Sequence, residues 1–405
     1  MRDVRSDPRS RLLDLFRQGL AAVDGRNVVR AWLQAHPPKP GYQLVALGKA
    51  ASAMTAGALD AAAPELGAGL MVTRHGFLDM PVLDDRRITA LEAGHPLPDA
   101  QSLAAGDALL RFLQEAPADA EFLFLVSGGA SSIVEVPVEG VNLETLRQLN
   151  TWLLGSGLPI SAINQLRAGL SRIKGGRLAG YLEGRRATLL LISDVPGDVP
   201  SDIGSGLLLP PVQRALPELP ARFAGLPFQA PMPAGPRVEA HILASNSLAR
   251  DAVVAGAEAM GFKTHLYPRL PAMDAAECGR ALARILLEGE AGVHVWGGET
   301  TVKLPENPGQ GGRNQHLALA AAGVLSGYAD AWLLVAGTDG NDGVTDDAGA
   351  LADGGSLARG EEGGYDAADC LRRADAGAFL EASGDLIYTG PTGTNVMDLI
   401  IGYKA

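Results

Sequence analysis

The sequence predicts an α/β protein of two domains, each a mostly parallel sheet flanked by helices. Three observations carry that expectation. Short apolar runs alternate with helix-length patterns along the chain, which is the order that builds parallel sheets. Several of those runs end in glycine-rich turns that lead into a helix, as strands of open α/β sheets do. A length of 405 residues, 47% of them hydrophobic, is enough for two or three cores at about 150 residues per domain.

Taken in order, residues 44–47 form the first strand and residues 50–63 an alanine-rich helix. Residues 122–126 and 189–192 are unbroken apolar runs of strand length. Helices are expected over 143–154 and 163–178, the second interrupted by Gly175-Gly176. Eight prolines between Pro210 and Pro236 forbid a long helix or a central strand there. The domains are therefore placed at 1–236 and 237–405.

The second part opens with a strand at 242–243. Ser245 or Asn246 caps a helix over 248–260, and Gly261 suits its C′ position. Strands follow at 293–296, 332–335 and 386–388, with a helical run at 317–325. The turn Ser127-Gly128-Gly129 is echoed by Gly297-Gly298-Glu299, and the acidic turn at 193–198 by the one at 338–342, as in two related halves.

Net charge is -12. That argues against broad nucleic-acid binding and against attraction to an anionic membrane. Cys278 and Cys370 are the only cysteines and have no C-x-x-C spacing, so a reducing cytoplasm is the expected setting. No apolar stretch approaches a membrane span, and the N-terminus lacks a signal core. An acidic protein binds anions only through local cations, and Lys49, Arg167, Lys174 and Arg313 all stand close to glycines.

The most informative stretch runs from Gly297-Gly298-Glu299 to Gly311-Gly312-Arg313-Asn314-Gln315. It joins a strand to a helix. That places backbone N–H groups and a cation at a helix N-terminus, where phosphate or carboxylate binds well. Four further junctions repeat the design. Gly48-Lys49-Ala50 offers a mobile charge, although it lacks the rest of a Walker A loop. Ser127-Gly128-Gly129-Ala130-Ser131 lets backbone approach a phosphate and adds hydroxyls, the alternative being a tight turn. Asp194 and Asp198 can hold Mg²⁺, or one of them can accept a proton from a substrate hydroxyl. The turn with Asp339 and Asp342 fails as a calcium loop but suits Mg²⁺ or polyol hydroxyls.

His95, in Gly94-His95-Pro96, is placed to orient a substrate; no histidine spacing fits zinc. Cations, amide cradles and paired carboxylates without a G-x-S-x-G nucleophile suit phosphoryl transfer. Spacing alone does not name the substrate.

At these residues the chain resembles the class II glycerate kinase family, the glycerate 2-kinases that include members with a MOFRL domain. The matching segments are Gly48-Lys49-Ala50-Ala51, residues 92–99, Ser127-Gly128-Gly129-Ala130-Ser131 and residues 164–176. They continue with residues 193–198, Gly297-Gly298-Glu299-Thr300-Thr301, residues 311–315, residues 337–343 and residues 389–395. The series runs in order over about residues 40–400, nearly the whole chain.

The resemblance implies two Rossmann-like α/β domains with the active site in the cleft between them. It implies ATP-dependent phosphorylation of D-glycerate at the 2-hydroxyl, with Mg²⁺ or another divalent cation. Lys49, Arg313, Asp194 and Asp198 become the catalytic set, with Asp194 and Asp198 also the metal ligands. His95, Asn164, Arg167, Lys174, Glu299, Asp339 and Asp342 are expected at the substrate. Ser127, Gly128, Gly129, Ser131, Gly312, Thr392 and Asn395 are expected at the nucleotide.

Competing readings are an NAD(P)H-dependent hydroxypyruvate reductase and a non-catalytic sugar-phosphate-binding regulator. The reductase is disfavoured because no strand precedes a G-x-G-x-x-G fingerprint. Partners are small molecules, with no nucleic acid and no membrane; a homodimer is left open.

Overall fold

A computed structural model describes residues 7–78, 84–158, 160–211, 217–230 and 238–405. By packing, the chain falls into two compact units. One comprises residues 24–245 and 393–395; the other comprises the chain up to Val23, residues 246–392 and residues 396–405. This differs from a single cut after residue 236. The strand Val238–Ala244 pairs in parallel with Ala187–Ile192 and so completes the first unit's sheet. The N-terminal helix Pro8–Ala22 packs instead on the helix Asn246–Ala259 of the second unit. A side chain at Gly19 would press on Val253 and Leu399, so glycine allows that close approach. Residues 212–216 and 231–237, with the boundary expected at 236, lie outside the described residues.

The first unit is built on β1 (Tyr42–Leu47), β2 (Leu66–Arg74), β3 (Ile88–Ala93), β4 (Phe122–Val126), β5 (Ala187–Ile192) and β6 (Val238–Ala244). Their order is β3-β2-β1-β4-β5-β6, and every pairing is parallel. This is the doubly wound order of a Rossmann-type sheet, whose direction of growth reverses between β1 and β4. Leu44 to Leu47 are fully buried, which accounts for the continuous apolar run.

The alanine-rich helix Ala51–Ala62 follows β1, and its Gly57 lets the backbone of Arg26 come close. The helix Ala100–Glu115, which sequence periodicity did not flag, starts at Asp99 with a reciprocal capping box to Ser102. The helix expected over 163–178 ends at Gly169. Beyond it Gly175 and Gly176 adopt left-handed backbone, at φ +64° and +83°. Their N–H groups donate to the carbonyls of Ser205 and Gly206, so this stretch pairs with a loop rather than with itself.

The second unit holds β7 (Thr264–Leu266), β8 (Gly292–Gly298), β9 (Ala331–Gly337), β10 (Gly349–Asp353), β11 (Leu386–Ile387) and β12 (Asp398–Lys404), in the order β11-β10-β9-β12-β8-β7. Only β7 and β8 pair in parallel; the other four pairings are antiparallel. Parallel pairs prevail over the two sheets together, but this second sheet is mixed. The reason is β12. It lies antiparallel between β8 and β9, which themselves share a direction and are joined through the helix Arg313–Leu325. The local β-α-β pattern was legible; the late strand inserted into it was not.

The helix Asn246–Ala259 ends as expected. The N–H of Gly261 donates to Glu258 and that of Phe262 to Ala257, which is a Schellman cap with Gly261 at φ +86°. Among the described residues no helix is long and apolar enough to cross a membrane.

Candidate active site

In the first unit the chemistry gathers where β1 and β4 end, at the reversal point of the sheet. Here ligands of open α/β sheets bind. The two turns are tied together. Ser127 N donates to Leu47 O (3.0 Å), Lys49 N to Gly128 O (2.9 Å) and Ala50 N to Ser127 Oγ (3.0 Å). Gly48, at φ +123°, leaves the space that the buried Ser127 fills. Ser127, expected at the nucleotide, is therefore a brace between the two turns.

Gly128 and Gly129 form the floor. A methyl group on Gly128 would overlap Asp194 Oδ2 and Asn395 Nδ2, which are themselves hydrogen-bonded at 3.2 Å. A methyl group on Gly129 would lie 3.0 Å from the His95 ring and 3.2 Å from Lys49 Cγ. Lys49, His95, Asp194 and Asn395 thus surround two glycines whose N–H groups donate to no backbone carbonyl among the described residues. Asp198, on the turn after β5, has left-handed backbone (φ +52°), and its buried Oδ1 has no partner among the described residues.

The loop carrying His95 is pinned by Asp99, which accepts from His75 Nε2 at 2.8 Å. Burial pushes the Asp99 pKa up. Hydrogen bonds from His75, the amides of Ser102 and Gly94 and the Ser102 hydroxyl outweigh that and bring it down to about 2.

Ser131 contacts Ser205 Oγ at 2.7 Å, and Ser205 Oγ donates to Asn164 Oδ1 at 2.9 Å. Asn164 Nδ2 donates to Asp202 O at 2.9 Å, so Asn164 shapes a loop. Lys174 does not join the cluster. It is 1% exposed and ion-paired with Glu135, whose other oxygen accepts from Ser171 Oγ at 2.5 Å. Its charge is already matched and away from solvent, so the substrate role expected for it is replaced by a structural one. Arg167 shares that surrounding. Burial lowers its pKa to about 10 against the opposing pull of Glu135, and its Nε donates to Asn150 Oδ1 at 2.7 Å.

In the second unit Arg313 is the centre. Its Nε and Nη2 grip the two oxygens of Asp398 (2.8 and 3.0 Å), and its Nη1 pairs with Glu299 at 2.6 Å. Burial opposes the Arg313 charge, but Asp398, Glu299 and Asp342 outweigh it and hold its pKa well above the ordinary value. Asn314 Nδ2 also donates to Asp398 Oδ1, at 3.1 Å.

The helix N-terminus that the sequence offered to a phosphate is occupied by the chain's own Asp342. Its carboxylate accepts from Asn314 N (3.0 Å) and Gln315 N (2.7 Å), and a side chain on Gly312 would overlap it. In this structure Asp342, expected at the substrate, caps the helix, and Gly312, expected at the nucleotide, gives it room. Burial raises the Asp342 pKa to about 7 even though both amides pull it down. Asp339 accepts from Asn341 N within its own turn (3.2 Å), and Thr392 Oγ1 donates to Thr338 O.

Sequence reasoning did not find Asp398 or Glu135. The only trace of Asp398 is a lone acid opening the last apolar strand. Glu135 sits in a stretch with no distinctive spacing.

Two family models match the chain. Residues 11–216 match the family model described as a domain of unknown function, DUF4147, and residues 292–398 match the MOFRL family. The chain is 36% identical over 377 residues to the D-glycerate 2-kinase of Thermotoga maritima, covering 89% of each. It is 35% identical over 408 residues to a putative hydroxypyruvate reductase of Agrobacterium vitis, covering 95% of this chain and 92% of that one. The crystal structure of glycerate kinase from Thermotoga maritima superposes with a TM-score of 0.82 at 33% identity, covering 98% of this chain and 99% of that one.

Proposed function

The chain belongs to the glycerate kinase family, and on that premise we propose that it transfers the γ-phosphoryl group of ATP to the 2-hydroxyl of D-glycerate, giving 2-phospho-D-glycerate and ADP. One observation carries this reading. Lys49, His95, Gly128, Gly129, Asp194 and Asn395 meet at the reversal point of a parallel sheet. Phosphoryl transfer asks little covalent chemistry of a protein; positioning and charge neutralisation supply most of the acceleration.

In this reading the Lys49 ammonium neutralises charge on the transferred group, and the amides of Gly128 and Gly129 donate to its oxygens. His95 orients D-glycerate. Asp194, steadied by Asn395 at 3.2 Å, takes the proton of the 2-hydroxyl as that oxygen attacks phosphorus. Arg313 binds an anionic substrate group in place of Glu299. The Glu299 carboxylate is about half exposed, so its ion pair is cheap to displace, whereas the buried Asp398 keeps the guanidinium fork in place.

A divalent cation such as Mg²⁺ fits the same turn. Asp198 Oδ1 is buried without a protein partner, and Mg²⁺ usually takes one or two carboxylates, leaving its other positions to water and phosphates. Among the described residues no group of three or more His, Cys, Asp or Glu offers a fuller cage. Asp198 would hold the ion, which when bound neutralises phosphate charge, and Asp194 is left to take the proton. Both cysteines are free and buried, which supports a reducing cytoplasm.

Proton-coupled phosphorus NMR of a mixture with ATP, Mg²⁺ and D-glycerate tests the reaction. A new monoester resonance split into a doublet by the single proton on carbon 2 is expected. A triplet would place the phosphate on carbon 3, and no new monoester would reject the kinase reading. The name of the Agrobacterium vitis relative raises hydroxypyruvate reduction, but the turn after β1 reads Gly48-Lys49-Ala50 rather than a dinucleotide fingerprint. NADH absorbance in the presence of hydroxypyruvate alone is expected to stay constant.

A further inference from the structure

We infer that Ser131 is a hydrogen-bond acceptor for the hydroxyl of D-glycerate that is not phosphorylated, and not a donor to phosphate. The identity of the substrate rests on the kinase reading above; the donor assignment follows from three side chains.

Asn164 fixes the direction of the chain of bonds. Its Nδ2 faces Asp202 O at 2.9 Å, and a backbone carbonyl can only accept, so the amide is not flipped. The atom facing Ser205 is therefore Oδ1, which also can only accept. Ser205 Oγ must donate to it, at 2.9 Å, and Ser205 has a single hydroxyl proton. The remaining contact, Ser131 Oγ to Ser205 Oγ at 2.7 Å, takes its proton from Ser131. With that proton committed, Ser131 presents only lone pairs to anything else.

Phosphate oxygens are acceptors at neutral pH and find no side-chain donor at Ser131 while this relay is intact. A substrate hydroxyl is a donor and does find a partner. The nucleotide contact expected for Ser131 is thereby replaced by a contact to the acceptor substrate.

The relay is built into the fold. Ser205 is 2% exposed and Asn164 4%, whereas Ser131 is only partly buried. Ser205 has left-handed backbone at φ +59°, which non-glycine residues rarely adopt and which gathers at functional sites. That conformation is secured by Ser205 N donating to Asp202 O (3.3 Å) and Gly175 N donating to Ser205 O (3.1 Å). Ser131 itself stands two residues after Gly129, the glycine that Lys49 and His95 approach. Of the two hydroxyls of D-glycerate, the 2-hydroxyl gives its proton to Asp194 in the reading above, which leaves the 3-hydroxyl for Ser131.

The test compares D-glycerate with D-lactate, which lacks the 3-hydroxyl, in the wild type, Ser131→Ala and Ser205→Gly. Glycine suits the left-handed backbone at 205 and removes the hydroxymethyl group that relays the bond. In Ser131→Ala KM for D-glycerate is expected to rise about tenfold, the worth of one hydrogen bond, and in Ser205→Gly, where the Ser131 oxygen remains but is no longer held as an acceptor, to rise less. KM for D-lactate and for ATP should stay unchanged, so the preference for D-glycerate collapses. A raised KM for ATP with the preference intact would overturn the assignment, as would no change in either. Should the wild type turn over neither acid, the kinase reading has failed. Calorimetric titration of the same three proteins with D-glycerate and with inorganic phosphate then decides. Weaker binding of D-glycerate alone supports the acceptor role; weaker phosphate binding or unchanged glycerate binding contradicts it.

Discussion

The turn after β4 and the turn before the helix Arg313–Leu325 both carry a Gly-Gly pair, yet they are filled differently. At Gly128-Gly129 the missing side chains make room for Asp194, Asn395, His95 and Lys49, groups able to face a ligand. At Gly311-Gly312 the missing side chain makes room for Asp342, which already occupies two amides of the helix N-terminus. A helix N-terminus attracts whichever carboxylate reaches it, and here a residue of the same chain does. The two lysines that follow or precede glycine pair off in the same way. Lys49 lies by Gly129, whereas Lys174 is sealed against Glu135.

The largest effect expected from this contrast is on stability. Lys174→Met removes half of a buried ion pair and leaves Glu135 uncompensated, which should cost about 3–5 kcal/mol. Urea unfolding followed by circular dichroism measures it. A variant as stable as the wild type would return Lys174 to the list of ligand-binding cations. Next is Gly128→Ala, which pushes Asp194 and Asn395 aside. Displacements of about 1 Å at a reacting centre can lower turnover roughly 10²-fold, and kcat should fall by that order while the secondary structure stays intact. Unchanged kcat would remove Asp194 from the reacting centre.

The capped junction makes a prediction about pH. Burial raises the folded-state pKa of Asp342 to about 7 from the ordinary 3.8 of an aspartate. The folded protein therefore binds a proton there that the unfolded chain has released, and this contribution to stability is fully present below pH 3.8. It is lost as pH rises toward 7 and gone above it. Compared with Asp342→Asn, the wild type should lose stability steadily between about pH 4 and 7, then run parallel. Parallel curves throughout would mean that Asp342 is ionised in the fold at all those pH values. The smallest effect belongs to Glu299→Gln. An exposed ion pair is worth at most about 1 kcal/mol, so the unfolding midpoint should hardly move. Release of Arg313 should lower KM for an anionic substrate a few-fold, and a raised KM would make Glu299 a substrate ligand rather than a placeholder.

The β-α-β rhythm was readable because buried parallel strands are unbroken apolar runs. Residues 122–126 were placed without error, and β1 and β5 to within two residues. The insertion of β12 between β8 and β9 left no local trace, since strand order is set by contacts remote in sequence. The helix Ala100–Glu115 was missed although Asp99 and Ser102 form its cap, because its alanines blur the apolar stripe. Residue types at the site were legible, but their partners were not. Lys49 and Lys174 carry the same local signal, and only the three-dimensional position of Glu135 separates them. Asp342 read as a ligand for polyols because nothing in its own turn reveals the helix that it caps.

Single-turnover phosphoryl transfer by Lys49→Ala, supplied with ATP, Mg²⁺ and D-glycerate, tests the central claim most directly. The account predicts a rate lower by roughly 10²–10⁴ with an unchanged unfolding midpoint. Transfer at close to the wild-type rate by the folded variant would contradict it.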